Sequence, residues 1–406
     1  MAPPEQSPPR QLQSPPSEQP ILDELLEDIF LRLTTAADLA RASTACVSFR
    51  RVIAGHAFLR RFRALHPPPL LGIFNHPFLP AQPPHPSAAA ARAVADGADF
   101  WCSFLPSRER WGITDIRDGR VLLVGVPEGK TYPWGSNGML RHFALCDPLS
   151  RRYLVLPAIP DDLVHELHIT DNDGAYFLAP PVAGDDDGVS FRVMCLVKRK
   201  SKLVLFAFSR GAGQWRYIEY DPGFKLHWAS RRYYWRRFFC WAVMPENKLL
   251  KLNTDKMEFS AVDLPPEPWP EEYEMTFVEA SKGRLGMFTI YDDFDEEQGG
   301  KIFHLGYAIL RKRRDRTTRW RSKAMISLPS TCRHYRIIGV AGGYLLLEGV
   351  PKDLPSTPSP EGDEIDIFSF NLQTLQLEPF CGATDTIYED NTLYAGFPPS
   401  LSAPTI

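Results

Sequence analysis

Few groups in this 406-residue sequence have the residue types and spacing that chemistry needs. His165-Glu166-Leu167-His168 brings two imidazoles and a carboxylate together. A helical metal pair needs histidines at i and i+4, as in His-Glu-x-x-His, and this spacing falls one residue short. The segment reads as a surface loop beside Asp161 and Asp162. Two acidic runs, Asp185-Asp186-Asp187-Gly188 and Asp292-Asp293-Phe294-Asp295-Glu296-Glu297, have the charge to attract calcium. Neither has the alternating oxygen ligands and distal Glu of an EF-hand loop, so both read as solvated loops. Gly211-Ala212-Gly213 lacks the remaining glycine of a dinucleotide fingerprint and the Lys of a P-loop, and reads as a hairpin turn. There is no Gly-x-Ser-x-Gly elbow, and no Cys/His pair stands out for nucleophilic catalysis. The seven cysteines are scattered, with no Cys-x-x-Cys among them. Most lie inside apolar runs and read as small buried hydrophobes, not ligands or redox pairs. These patterns imply a non-catalytic chain with no cofactor and no bound metal.

Charge adds little specificity. The net charge is −3, and this balance offers no electrostatic case for nucleic acid or an anionic membrane. Three basic clusters stand out: Lys198-Arg199-Lys200, Arg231 to Arg237 with Tyr233, Tyr234 and Trp235 interleaved, and Arg311-Lys312-Arg313-Arg314. The second has the composition to stack on bases. It reads better as a strand with Arg stems laid over aromatic faces, and the other two as charged hairpin tips. The third is also compatible with a nuclear-import patch. The N-terminus carries no apolar signal-peptide core, and no apolar run is long enough to span a bilayer. The expectation is an intracellular protein, in cytoplasm or nucleus, with reduced thiols.

With no chemistry to position, the informative stretch is residues 21–53. Leu22, Leu25, Leu26, Ile29, Phe30 and Leu33 recur at helical spacing, opposite Asp23, Glu24, Glu27, Asp28 and Arg32. Thr34 and Thr35 interrupt the pattern, and Thr35 with Asp38 resembles a capping box for a second helix. Leu39, Ala42, Cys46, Phe49, Val52 and Ile53 then line an apolar side. A unit this small buries too little surface to stand alone, and its apolar residues exceed what a few short helices can cover. The surplus predicts a protein partner.

These residues resemble an F-box. Ile21, Leu22, Asp23, Glu24, Leu25, Leu26, Ile29, Leu33, Leu39, Arg41, Cys46, Phe49, Arg50, Val52 and Ile53 align with the family pattern, with three departures. Leu22 stands where the family has Pro, Ala45 where Val is usual, and Phe49 replaces Trp. The resemblance covers about a tenth of the chain. It implies docking on the adaptor subunit of an SCF-type ubiquitin ligase, and through it on cullin, with Leu22, Leu25, Ile29, Leu33, Leu39, Cys46, Phe49 and Val52 as adaptor contacts.

Residues 56–65 read as one more amphipathic helix, ended by Pro67-Pro68-Pro69. Beyond Leu70 the pattern changes to short apolar runs between turn residues. These lie at 120–125, 152–156, 191–197, 202–208, 238–243, 248–252, 285–290, 304–310, 336–340, 344–347 and 365–370. A loose unit of strands recurs in five copies, the clearest over 118–157 and the others near 206–217, 251–265, 283–329 and 342–377. Repeats of roughly 40–50 residues with four strands each are propeller blades. This region resembles the F-box-associated, kelch-like β-propeller of large plant F-box families, with a kelch-type Gly-Gly only at Gly342-Gly343. Five to seven blades fit.

The predicted architecture is therefore a multidomain α+β chain. Residues 1–20 form a Pro-rich disordered tail, 21–65 a small all-α F-box-like domain, and 66–400 a large all-β domain of β-propeller type. The predicted function is substrate recognition in an SCF-type cullin-RING ubiquitin ligase, holding an unidentified target protein on the propeller, with no membrane partner. The alternative is a stand-alone propeller scaffold, or an RNA-binding propeller with a degenerate F-box.

Overall fold

A computed structural model describes residues 22–33, 36–66, 68–106, 110–126, 142–167, 174–180, 191–199, 201–209, 212–224, 231–244, 246–264, 275–295, 300–312, 318–353, 364–384, 387 and 392–396. The chain divides into two compact units, Met1–Leu65 and His66–Ile406. The expected tail at 1–20 and the Thr35 cap lie outside the described residues.

The first unit contains α1 (Asp23–Phe30), α2 (Ala36–Ala45), α3 (Val47–Ile53) and α4 (His56–Leu65). Helix α1 begins with Asp23 and Glu24 in its first turn, where carboxylates favour the positive end of the helix dipole. Helix α3 is capped by Cys46, whose Sγ accepts a hydrogen bond from the Phe49 backbone N–H at 3.4 Å. Phe30 is the hub of the unit's packing. Its ring meets Phe49 edge-on at 5.0 Å and Phe58 at 6.4 Å. Arg51 donates to both carboxylate oxygens of Asp23 at 3.0 Å, and Arg61 to Glu27 at 2.6 Å, tying α1 to α3 and α4.

The second unit is a six-bladed β-propeller. Five blades are four-stranded antiparallel sheets, each a continuous stretch of chain. Blade 1 comprises β3 (Arg110–Arg117), β4 (Arg120–Val126), β5 (Phe143–Asp147) and β6 (Arg152–Leu156). Blade 2 comprises β7 (Ala175–Ala179), β8 (Arg192–Arg199), β9 (Lys202–Ser209) and β10 (Trp215–Tyr220). Blade 3 comprises β11 (Arg232–Trp235), β12 (Phe238–Val243), β13 (Lys248–Asn253) and β14 (Glu258–Asp263). Blade 4 comprises β15 (Met275–Ala280), β16 (Arg284–Asp295), β17 (Gly300–Lys312) and β18 (Thr318–Ser327). Blade 5 comprises β19 (Cys332–Ala341), β20 (Tyr344–Pro351), β21 (Ile365–Asn371) and β22 (Leu377–Ala383). The sixth blade is assembled from both ends of the unit. Strand β23 (Leu393–Ala395) pairs with β1 (Leu70–Ile73), which pairs with β2 (Leu79–Pro80). The first strand of each chain-continuous blade lies innermost, and β23 completes that ring by touching β19 on one side and β3 on the other. Building the sixth blade from both ends of the unit closes the ring, a radial arrangement that leaves only short, protected sheet edges.

The core lies between blades. Along β8, Val193, Cys195 and Val197 pack with Leu122 and Val124 of blade 1, while Met194 and Leu196 pack with Phe239 and Trp241 of blade 3. Successive side chains of a strand point to opposite faces. A sheet covered on both faces therefore needs apolar residues at every position, which is why these strands read as unbroken runs. Gly342 has a reason to be glycine. It holds φ +57°, and a Cβ there would meet the Leu70 backbone nitrogen at 2.6 Å, where blade 5 approaches the closing blade.

The second unit is the large β-propeller expected, with two short helices, α5 (Ala88–Gly97) and α6 (Asp161–Glu166), in its connections. Helix α5 is alanine-rich and needs only Ala91 and Val94 on its buried side, too thin a stripe to stand out after a proline-rich run. Two expectations are corrected. Helix α6 occupies the place expected to be a loop, with Asp161 and Asp162 in its first turn. Asp292, Asp293, Phe294 and Asp295 belong to β16, not to a loop.

Candidate functional site

The apolar stripe of α1 is split in two. Leu26 and Phe30 are buried. Leu22, Leu25 and Ile29 stand on the flank at i, i+3 and i+7, exposed to 72%, 58% and 48%. Val47 adds an apolar side chain in the first turn of α3 and is 84% exposed. Of the other predicted contacts, Cys46 is exposed, and Leu33 and Phe49 are half-buried. Leu39 and Val52 are buried and belong to packing, so they are removed from the contact set. Asp23, Glu27 and Asp28 of α1 pair with Arg51 of α3 and Arg61 of α4. Leu22, Leu25 and Ile29 form an exposed apolar face beside them. Surface ion pairs of this kind contribute little to stability, and here they fix which way α1 faces.

The interior of the propeller is the opposite case. Strands β3 and β19 each carry a bulge, after Ile113 and after Ile337, which disrupts the ladder and re-aims the neighbouring groups. Asp115 accepts from the Arg232 guanidinium at 2.5 Å and from the Leu178 backbone N–H at 2.7 Å. Burial pushes the Asp115 carboxyl up from its ordinary value, against the pull of Arg232 and Arg117. Arg232 also lies over the Phe177 ring at 4.6 Å, and Arg117 over Tyr234 at 4.0 Å while donating to the Leu178 carbonyl. Arg192 donates to the carbonyls of Pro180 and Thr254 at 2.7 Å. Arg231 donates to the carbonyls of Ile337 and Ile338, linking blades 3 and 5, which are not neighbours in the ring. Glu348 accepts from Arg336 at 2.7 Å and from the Ile387 N–H at 3.1 Å.

In the middle basic cluster, Arg231 is buried and the Arg232 side chain, 8% exposed, lies over the Phe177 ring, while Arg236 and Arg237 are exposed and pair with Glu279 and Asp255. Arg313 and Arg314 of the third cluster lie outside the described residues. The interior ion pairs were missed in the sequence. The signal available was Asp115 between Ile113 and Ile116, since a lone carboxylate between core positions requires a partner.

Burial pushes Cys240 and Cys381 up to about 12 and Cys195 higher still, so they stay protonated and inert at neutral pH. All seven cysteines are free. Among the described residues no group of three or more His, Cys, Asp or Glu is placed to hold a metal ion. No helix among them is long and apolar enough to cross a membrane.

No family model matches the sequence, and no curated protein matches it. Several solved structures resemble the chain at low similarity. The tricorn protease has 10% identity and a TM-score of 0.33 over 69% of this chain, which spans only 32% of that one. A mutant GH32 beta-fructofuranosidase of Bombyx mori, in complex with sucrose, has 11% identity and a TM-score of 0.30, covering 73% of this chain and 70% of its own. TolB from Acinetobacter baumannii has 8% identity and a TM-score of 0.24, covering 70% and 82%. Likenesses this distant carry no argument about what this chain does.

Proposed function

We propose that this protein is the substrate-recognition subunit of an SCF-type cullin-RING ubiquitin ligase. The helical unit docks on the adaptor, and through it on cullin, by Leu22, Leu25 and Ile29, with Leu33, Cys46 and Phe49 at the margin. The propeller holds the target protein. The chain itself performs no chemistry and acts within the cell, in cytoplasm or nucleus. Its contribution is proximity: a target held beside the recruited conjugating enzyme reacts at a raised effective concentration.

The observation that carries this reading is the exposed flank of α1, with Leu22, Leu25 and Ile29 presented side by side. Exposed apolar side chains grouped on one helix face mark a surface that another protein covers. The F-box resemblance places adaptor contacts at those three positions.

The test is co-purification of the full chain with the SCF adaptor, beside a Leu25→Asp/Ile29→Asp variant. Two carboxylates in that interface would be desolvated without partners, at a cost on the order of several kcal/mol, enough to abolish binding. Stoichiometric binding lost in the folded variant is the expected result. Retained binding by the folded variant would sink the assignment, and no binding by folded wild type would move the scaffold reading ahead.

A further inference from the structure

An open cleft of about 320 Å³ lies where the closing blade meets blade 1. It is lined by Phe74, His76, Trp101, Cys102, Trp111 and Leu123, with Ser103, Leu105 and Pro106 along one rim. Trp101 is 68% exposed, the most exposed large aromatic side chain among the described residues. Its indole stacks on the His76 ring at 4.6 Å with the planes 16° apart. Exposed tryptophan is costly to leave in water, and a stacked pair at the mouth of a cleft offers a flat apolar face to whatever enters.

The loop that displays Trp101 is fixed before any ligand arrives. Asp99 Oδ1 accepts from the Trp101 N–H at 3.1 Å, and Oδ2 accepts from the Ser103 N–H at 3.0 Å and the Ser103 hydroxyl at 2.5 Å. The Asp99 N–H donates in turn to the Pro148 carbonyl at 3.0 Å, and the Leu105 N–H to the Cys102 carbonyl. Cys102 holds φ +51° within this turn. A side chain that is exposed yet held in place loses little freedom on binding, which is what a recognition surface needs.

The lining selects its occupant. Among the described residues, no carboxylate, ammonium or guanidinium lines the cleft. His76, partly covered by Trp101, has its pKa lowered by desolvation, so its ring is neutral at pH 7. A charged group entering here would lose hydration without gaining a partner. A sugar would bring several hydroxyls, whereas the polar side-chain atoms of the described lining are few, those of His76, Ser103 and the two tryptophan N–H groups. Proline meets both constraints. It has an uncharged ring of stacking size, it brings no backbone N–H to satisfy, and an extended proline-rich segment is stiff before it binds. Aromatic-lined grooves recognise such segments by ring contact.

We propose that this cleft binds an uncharged, proline-containing extended segment of a partner protein, with a proline ring laid on the Trp101–His76 pair. The inference deepens the target-holding part of the proposed function by giving the target a chemistry, and it rests on that reading only for the word target. Peptide binding here requires no adaptor.

The experiment uses the full chain and a fluorescent, uncharged decapeptide of alternating proline and alanine, read by fluorescence anisotropy. A matched peptide with serine in place of proline is the control. The expected dissociation constant is on the order of 100 μM, with the serine peptide at least tenfold weaker. Trp101→Ala should weaken the proline peptide about tenfold or more while leaving the thermal melt unchanged, because the side chain is largely solvent-exposed. Leu25→Asp/Ile29→Asp should leave peptide binding intact, so failure of adaptor docking and failure of this site are read separately. Equal binding of both peptides, binding indifferent to Trp101→Ala, or no saturable binding by folded wild type would each overturn the proposal.

Discussion

Helix α1 and the inner strands of the propeller treat side chains in opposite ways. On α1, Leu22, Leu25 and Ile29 are apolar and outside. Around β3, β11 and β19, Asp115, Arg231, Arg232, Arg336 and Glu348 are charged or strongly polar and inside. Both invert the usual distribution, but only one is internally resolved. Each buried charge has a named partner: Asp115 has Arg232 and the Leu178 N–H, and Glu348 has Arg336 and the Ile387 N–H. Buried charges that are paired and hydrogen-bonded fit a structural role. Leu22, Leu25 and Ile29 are left exposed, and that incompleteness is what points outward. Unusual placement alone is therefore a poor guide to function, whereas unusual placement left unsatisfied is a useful one.

The comparison breaks most visibly at Asp115. If the interior network is structural, Asp115→Ala leaves the Arg232 guanidinium buried without its carboxylate. Removing one partner of a buried pair costs about 3–5 kcal/mol. A urea titration should show the propeller's midpoint falling accordingly. A midpoint within error of wild type would mean that water or another acceptor already serves Arg232, and that the interior charges are free for some other role.

Legibility in the sequence follows the same division. The strands recognised in advance, such as β4, β8, β9, β12 and β13, are mostly second and third strands of blades, covered on both faces and hence apolar throughout. The innermost strands are absent from all five repeat copies. Strand β3 carries Thr114, Asp115 and Arg117, and β11 opens with Arg232, so the channel network disguises them as loop and basic cluster. The closing blade has no local signal, because β1 and β23 come from opposite ends of the unit and only pair once the ring is closed. The six-blade count was thus hidden inside an estimate of five to seven. On α1 the reverse held. Periodicity identified the whole apolar stripe, but it could not separate Leu26 and Phe30, which the unit buries, from Leu22, Leu25 and Ile29, which it does not. Leu39 and Val52, which the F-box resemblance gives as adaptor contacts, are buried in the unit as well.

His85 sits between the two cases, half satisfied. It is buried, its Nδ1 accepts from the Ser87 N–H at 3.2 Å, and its ring packs against Tyr344 and Phe380 at 4.6 and 5.0 Å. Protonating Nδ1 would set a donor against a donor and place charge among aromatic rings without an acid. Burial lowers its pKa to about 4 from the ordinary histidine value of 6.5. The folded state then binds fewer protons than the unfolded state between those values, so stability rises with pH across that window and is lost on acidification. Thermal melts should decline from pH 6.5 to pH 4 more steeply in wild type than in His85→Phe, which keeps a ring and removes the titration. Equal slopes would show that His85 does not carry the acid sensitivity and that its ring is merely packed.

The smallest expected effect sharpens the comparison most, because it asks α1 for silence. Leu25→Gln with Ile29→Gln removes the apolar flank while adding no charge to a helix that already carries Asp23, Glu24, Glu27 and Asp28. Glutamine is a good helix former, so the backbone has little reason to object. Side chains already 58% and 48% exposed have few contacts to lose. Substitutions at such positions usually move stability by no more than about 0.5 kcal/mol. The denaturation midpoint should stay at the wild-type value while adaptor binding weakens, which separates a surface kept for a partner from one kept for the fold. A midpoint that falls toward the Asp115→Ala value would show that Leu25 and Ile29 are packed against the chain's own residues in solution. The two regions would then differ only in polarity, and the outward reading of α1 would lose its support.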